Sequence, residues 1–85
     1  MTVRKRWDDL ISPERRRFPA RLKERRKELG MTQLAIHVKT GIAISYISQL
    51  EKAEVNPSLD IMAALARAVD VNLAYFFTDK PDEKA

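Results

Sequence analysis

Hydroxyl and amide side chains recur along one short segment of the chain, at spacings that place them on the outer side of a helix. In the second half of residues 31–54 they are Ser45, Ser48 and Gln49, while aliphatic residues fall on the opposite side. Hydroxyl and amide groups can donate and accept hydrogen bonds, which is the chemistry that reads base edges in a DNA groove. The pattern indicates recognition by hydrogen bonding.

A helix-turn-helix would hold these side chains in place. Gly41 permits the positive φ of a tight turn, and Thr32 can cap the helix before it by accepting a backbone amide hydrogen bond. The spacing predicts one helix over about residues 33–39 and a second over about residues 44–52. The residues expected to face inward are Leu34, Ile36 and Thr40, then Ile47, Leu50 and part of Tyr46. Such a pair can present its second helix to a major groove.

One further helix is predicted before this pair. Its pattern runs from near Pro19 to Leu29, and Gly30 supplies the left-handed residue that commonly ends a helix. Ser12 followed by Pro13 offers an earlier cap and first residue, in which case Pro19 would lie inside the helix. The sequence leaves both starts open.

Two more helices are predicted after the pair. Ser58 can cap a helix from Leu59 to about Val69, and Asn72 can cap a short helix that reaches Phe77. No segment has the alternation of a strand. The expected fold class is therefore all-α, a compact bundle of five helices with a central helix-turn-helix.

The composition argues against several other classes of protein. The 85 residues include one His and no Cys, which leaves no thiolate for a zinc site, a disulfide or a nucleophile. A glycine-rich phosphate loop and an obvious carboxylate pair are also missing, so we expect neither an enzyme nor a bound cofactor or metal. No apolar run reaches about 18 residues, and we expect a cytoplasmic protein of one domain without a membrane span.

Positive charge is concentrated at the amino-terminal end. Residues 1–30 hold eleven Lys or Arg against five acids, a balance of +6, which leaves −2 for the remainder of a chain with net charge +4. A polyanion such as DNA would be attracted to this end, because each neutralised phosphate releases counterions. A solvated basic tail is the other interpretation.

Several short matches occur in an order and spacing that resemble a known family. They are Leu29-Gly30, Thr32-Gln33, Gly41-Ile42, Tyr46-Ile47-Ser48-Gln49-Leu50-Glu51, Asn56-Pro57-Ser58-Leu59 and Val71-Asn72-Leu73 before Phe76-Phe77. From about Arg21 to Phe77 the chain resembles the lambda-repressor-like family of Cro and repressor-type helix-turn-helix domains. The resemblance implies a five-helix domain that binds double-stranded DNA.

The resemblance also implies which residues contact DNA. They are Gln33, Ile44, Ser45, Tyr46, Ser48, Gln49 and Lys52. Gln33 opens the second helix, where its amide and the helix amino terminus would hold a phosphate. Gln49 suits an adenine edge, and Ile44 suits a thymine methyl group. Tyr46 would support the helix or reach a phosphate with its hydroxyl.

An ion pair is a further implication of the family. Arg26 on the first helix and Glu51 at the end of the third stand where such domains often place a partly buried, hydrogen-bonded Arg–Glu pair. Removing one partner of such a pair strands the other charge. Two independent surface charges are the alternative.

The chain departs from the family's pattern at four positions. His37 stands where a small residue is usual, and Ala43 replaces the usual Ser before the third helix, which removes a cap. Ala53 and Asp70 replace frequent glycines at points where the chain can need positive φ.

Three segments are expected: a basic arm over residues 1–17, the helix-turn-helix domain over residues 18–78 and a polar tail over residues 79–85. The arm contains Arg4-Lys5-Arg6-Trp7 and Arg15-Arg16-Arg17, which could follow a minor groove or flanking phosphates. A leader without DNA contacts is the alternative.

One recognition helix covers only a few base pairs, so we expect a homodimer on an inverted repeat. Leu73, Tyr75 and Phe77 are candidates for the dimer interface, with Phe76 pointing inward. The leading hypothesis is a sequence-specific transcriptional regulator, such as a restriction-modification controller or a phage-type repressor, with RNA polymerase as a further candidate partner. The alternative is an antitoxin or other protein-interaction module whose DNA binding is secondary.

Overall fold

A computed structural model describes residues 12–78 of the chain, and throughout that range the structure is helical, without strands. Its elements are α1 (Pro13–Glu28), α2 (Gln33–Thr40), α3 (Ile44–Glu51), α4 (Leu59–Ala68) and a 3₁₀ helix (Leu73–Phe77). The all-α expectation is confirmed, but the bundle has four α-helices and not five. Five residues offer few i→i+4 partners, and the tighter i→i+3 pattern suits so short a segment. None of the helices described is long and apolar enough to cross a membrane.

The first helix takes the earlier of its two possible starts. Ser12 is the N-cap, its side chain accepts a hydrogen bond from the Arg15 amide (3.3 Å), and Pro13 is the first helical residue. Pro19 lies inside the helix, where it has no amide hydrogen to donate to the preceding turn. The helix thus crosses the boundary expected between residues 17 and 18. Residues 1–11 of the arm and 79–85 of the tail lie outside the described residues.

The other element boundaries match the predicted caps closely. Thr32, Ser58 and Asn72 each accept a backbone amide hydrogen bond three residues ahead, at 3.0 to 3.1 Å. Gly30 and Gly41 have φ of 67° and 77°, as expected for the ends of α1 and α2. Positive φ also occurs at the two non-glycine positions singled out in the sequence, Ala53 (61°) and Asp70 (57°).

The core lies where the four α-helices and the 3₁₀ helix meet. Its fully buried large side chains are Phe18, Leu22, Ile36, Ile47, Leu50, Leu65, Val69 and Phe76. One inward prediction was wrong, because the side chain of Leu34 is 56% exposed. Leu34 lies two residues from Ile36, about 200° around the helix, so the two cannot both face the core.

Candidate nucleic-acid interface

The inner side of α3 anchors this helix to the body of the domain. Ile47 and Leu50 are fully buried, and Tyr46 is half-buried against the same core. Burying an Ile or Leu side chain completely contributes about 1.5 to 3 kcal/mol, so this side of α3 stabilises the fold. The residues available for binding must lie on its other side.

The outer side of α3 carries the predicted base-contacting residues. Ser45 and Gln49 are exposed, Ile44 is 40% exposed and Ser48 is half-buried. Their positions, together with the exposed Lys52 just after the helix, follow one side of α3. This side offers hydroxyls, an amide, an aliphatic side chain and an ammonium group, which can pair with base edges, a thymine methyl group and a phosphate.

Gln33 is the first residue of α2, as predicted, but its side chain is already partly engaged. Its Nε2 donates a hydrogen bond to Glu51 Oε1 at 3.1 Å. Because a carboxylate oxygen only accepts, this contact orients the Gln33 amide with its nitrogen toward Glu51. A phosphate contact from Gln33 would use its second amide hydrogen or its backbone N–H.

Arg26 and Glu51 form a two-point ion pair. Arg26 Nε and Nη2 donate to the two carboxylate oxygens of Glu51 at 2.7 and 2.9 Å, and Nη1 donates to the Met31 carbonyl at 2.9 Å. The side chains are 12% and 4% exposed. Hydrogen bonding to Glu51 raises the pKa of Arg26 above its ordinary value, against the opposing effect of burial. With Gln33, this carboxylate links the end of α3 to both α1 and the start of α2.

Three arginines of α1 have contacts that the sequence analysis missed. Arg17, Arg21 and Arg25 donate to the carbonyl oxygens of Phe77, Tyr75 and Val69 at 3.2, 3.3 and 3.0 Å. We call these three residues the arginine row. Their regular spacing of four places them on one side of α1 and was visible in the sequence, but Arg17 was assigned to the basic arm and no carbonyl partner was predicted for any of the three. Part of the positive charge therefore serves to hold the carboxy-terminal segment.

The predicted dimer residues are half-buried within the single chain. Leu73, Tyr75 and Phe77 keep part of their surface exposed, while Phe76 is fully buried and meets the ring of Phe18 edge-on, with centroids 4.7 Å apart. The Phe77 ring also stacks on Phe18, at 6.5 Å between centroids. α1 thus covers some of the apolar surface that the sequence analysis assigned to a partner copy.

Two of the four departures from the family pattern lie at or beside the turn between α2 and α3. Ala43 occupies the N-cap position of α3 and provides no side-chain hydrogen bond. His37 is half-buried beside the turn, and its Nδ1 lies 2.7 Å from the carbonyl oxygen of Ile42. The imidazole therefore has a definite partner at the point where the two motif helices join.

Comparison with known proteins agrees with this geometry. The sequence profile of the family described as Helix-turn-helix matches residues 22–76. The HTH-type transcriptional regulator SinR of Bacillus licheniformis is 30% identical over 63 residues, which are 73% of this chain and 57% of SinR. The chain thus spans little more than half of that relative.

Two solved structures of restriction-modification controller proteins are also similar. C.AhdI from Aeromonas hydrophila has a TM-score of 0.72 at 29% identity, over 78% of this chain and 100% of that chain. C.Esp1396I, solved as a tetramer in complex with its natural 35 base-pair operator, has a TM-score of 0.71 at 25% identity, over 79% and 88% of the two chains.

Proposed function

The chain belongs to the Cro/repressor-type helix-turn-helix family of transcriptional regulators, and we propose on this premise that it binds a specific DNA sequence as a homodimer. The operator would be an inverted repeat, and α3 of each copy would enter the major groove of one half-site. We expect the protein to act in the cytoplasm, the compartment in which a bacterial regulator meets DNA.

One observation carries this proposal: one side of α3 is buried in the core and the other side is exposed to solvent. Ile47 and Leu50 are fully buried, whereas Ser45 and Gln49 are exposed. A helix held in this way can approach base edges without giving up its packing. Gln49 can donate to and accept from an adenine edge at the same time, which makes it the strongest candidate for discrimination among bases.

The contacts around Glu51 support a rigid presentation of α3. The carboxylate accepts from Arg26 on α1 and from Gln33 on α2, so the carboxy-terminal end of α3 is held against both helices. Discrimination among bases by hydrogen bonds requires precise geometry, so a helix that moved freely would discriminate poorly. The same network places the amino terminus of α2 beside α3, where a phosphate could be held.

We infer a homodimer because the DNA-binding surface of a single α3 is small. The outer side of a helix of eight residues reaches few base pairs, and two symmetry-related copies double the contact. Leu73, Tyr75 and Phe77, each half-exposed on the 3₁₀ helix, are the proposed contact between copies.

Among regulators of this family, we favour a controller of a restriction-modification operon that regulates its own expression. Support comes from the two controller proteins that share this fold, C.AhdI at 29% identity and a TM-score of 0.72 and C.Esp1396I at 25% identity and a TM-score of 0.71. A phage-type repressor is the second candidate within the family. Contact with RNA polymerase, and with it the choice between activation and repression, remains a prediction.

Selection of bound duplexes from a random pool tests the proposal. We expect an enriched inverted repeat whose affinity exceeds that of random duplex by about a thousandfold or more at physiological salt. The dependence of affinity on salt should be measured for both duplexes, since phosphate contacts affect both and base contacts only one. Weak binding of equal strength to every duplex would contradict the proposal and favour the antitoxin-like alternative.

A further inference from the structure

The helix that would contact bases begins without a side-chain cap. The other elements are capped by Ser12, Thr32, Ser58 and Asn72, each of which accepts a backbone amide hydrogen bond. At the start of α3 stands Ala43, which has no side-chain acceptor. A missing cap costs about 1 kcal/mol and leaves the first turn of a helix less firmly defined. At this end of α3, any contact that orients the helix must come from residues other than its N-cap.

Ile42, two residues before α3, is bound to α2 through its backbone. Its backbone N–H donates to Thr40 Oγ1 at 3.1 Å, and the same hydroxyl donates to the Ile36 carbonyl at 2.8 Å. The Ile42 carbonyl lies 2.7 Å from His37 Nδ1. Both polar backbone groups of Ile42 are thus bound to side chains of α2. Its own side chain packs against the core.

The protonation of the His37 ring follows from its partner. A carbonyl oxygen only accepts, so Nδ1 must carry the hydrogen and donate it. Both the neutral ring with its hydrogen on Nδ1 and the doubly protonated ring can make this bond. The distance of 2.7 Å is that of a well-formed hydrogen bond, and the ring is half-buried.

We propose that His37 is a positioning residue for DNA recognition: by binding the Ile42 carbonyl, it sets the orientation of α3 relative to α2. The inference rests on the proposed function, because orientation matters only if α3 reads DNA. His37 compensates in this way for the missing cap at Ala43. It is expected to affect discrimination between sequences more than overall attraction to DNA, since the latter depends on phosphate contacts.

Three variants test the role of His37. His37→Ala removes the donor, whereas His37→Asn keeps an N–H donor close to the place of Nδ1. Val69→Ala is the matched control for stability, because Val69, the residue that follows α4, is fully buried and its truncation destabilises the domain without removing a contact of the turn. For each protein, the affinities for the selected operator and for random duplex should be measured, together with the melting temperature.

We expect His37→Ala to lower the ratio of specific to random affinity by about tenfold, the equivalent of one well-placed hydrogen bond, while random affinity changes little. His37→Asn should recover most of the ratio, and Val69→Ala should keep it in spite of a lower melting temperature. An unchanged ratio in His37→Ala, or an equal loss in His37→Asn, would overturn the inference. If the unaltered protein itself fails to prefer any duplex, the proposed function fails first, which distinguishes the two results.

Discussion

The guanidinium carbon of Arg21 lies 3.9 Å from the centroid of the Tyr75 ring, and Nε of the same group donates to the Tyr75 carbonyl oxygen at 3.3 Å. One cation therefore holds both the ring and the backbone of a residue in the 3₁₀ helix. Arg17 and Arg25 bind carbonyls on either side of this contact. The short 3₁₀ helix is thus held to α1 by hydrogen bonds from Arg17 and Arg21, in addition to the packing of the buried Phe76.

Arg21→Ala is expected to reduce the free energy of unfolding by about 2 kcal/mol, because it removes a charged hydrogen bond and a cation–π contact at a largely buried position. Urea unfolding measures the change. Lys23→Ala is the control, since Lys23 is an exposed residue of the same helix and should change stability by less than about 0.5 kcal/mol. Equal stability of the two variants would show that the contact contributes nothing.

Arg26→Ala should destabilise the domain by about 3 to 5 kcal/mol, because the Glu51 carboxylate, only 4% exposed, would lose its cation. For a domain of this size the melting temperature would fall by at least about 10 °C. The double variant Arg26→Met with Glu51→Leu removes both charges and should recover much of the loss. A single variant that melts like the unaltered protein would argue against a stabilising pair.

The pH dependence of this pair follows from the pKa of Arg26, which Glu51 raises. A group whose pKa is raised on folding contributes stability that is present below its unfolded pKa and lost only as the pH rises through its folded value. For an arginine this range lies far above neutrality. The stability difference between the protein and Arg26→Ala should therefore persist from pH 7 to about pH 10, as measured by urea unfolding at each pH. If the difference in the free energy of unfolding disappeared within that pH range, Arg26 would not be the group responsible for it.

Gln49→Ala and Lys52→Ala should weaken DNA binding in different ways. Loss of the Gln49 amide is expected to reduce affinity for the selected operator by about 5- to 150-fold and to leave random duplex unaffected. Loss of the Lys52 ammonium should weaken binding to both duplexes and lower the salt slope by about 1. Mobility-shift titrations over a series of salt concentrations separate the two patterns. If Gln49→Ala weakened both duplexes equally, its assignment to a base contact would be wrong.

Leu73→Glu should prevent the proposed dimer by placing a charge in its apolar contact. Sedimentation at micromolar concentration would then show a monomer, and affinity for the inverted repeat would fall while affinity for an isolated half-site changes little. Leu59→Glu is the matched control, because Leu59 is 62% exposed at the start of α4 and lies outside the proposed interface. If Leu73→Glu still forms a dimer, the interface must lie on another surface. If the unaltered protein is itself a monomer, the proposed homodimer is wrong.

Local signals in the sequence predicted most of the helix boundaries. Thr32, Ser58 and Asn72 are caps because a side-chain oxygen just before a helix can reach an amide three residues ahead, whatever lies elsewhere in the fold. Gly30 and Gly41 end helices because glycine adopts positive φ at little cost. The division of α3 into a buried and an exposed side follows in the same way from the helical period.

Contacts between distant parts of the chain could not be derived from such signals. The earlier start of α1 and the partners of the arginine row depend on which surfaces meet. Spacing shows that Arg17, Arg21 and Arg25 share a side of one helix, but not that carbonyls 44 to 60 residues later in the chain lie within reach. The amino-acid sequence by itself determined which segments are helical, most of their ends and the polar side of α3, because each depends on neighbours within a turn or two. The tertiary structure decided which charges are engaged in folding, because hydrogen bonds across the bundle form only after its helices have packed.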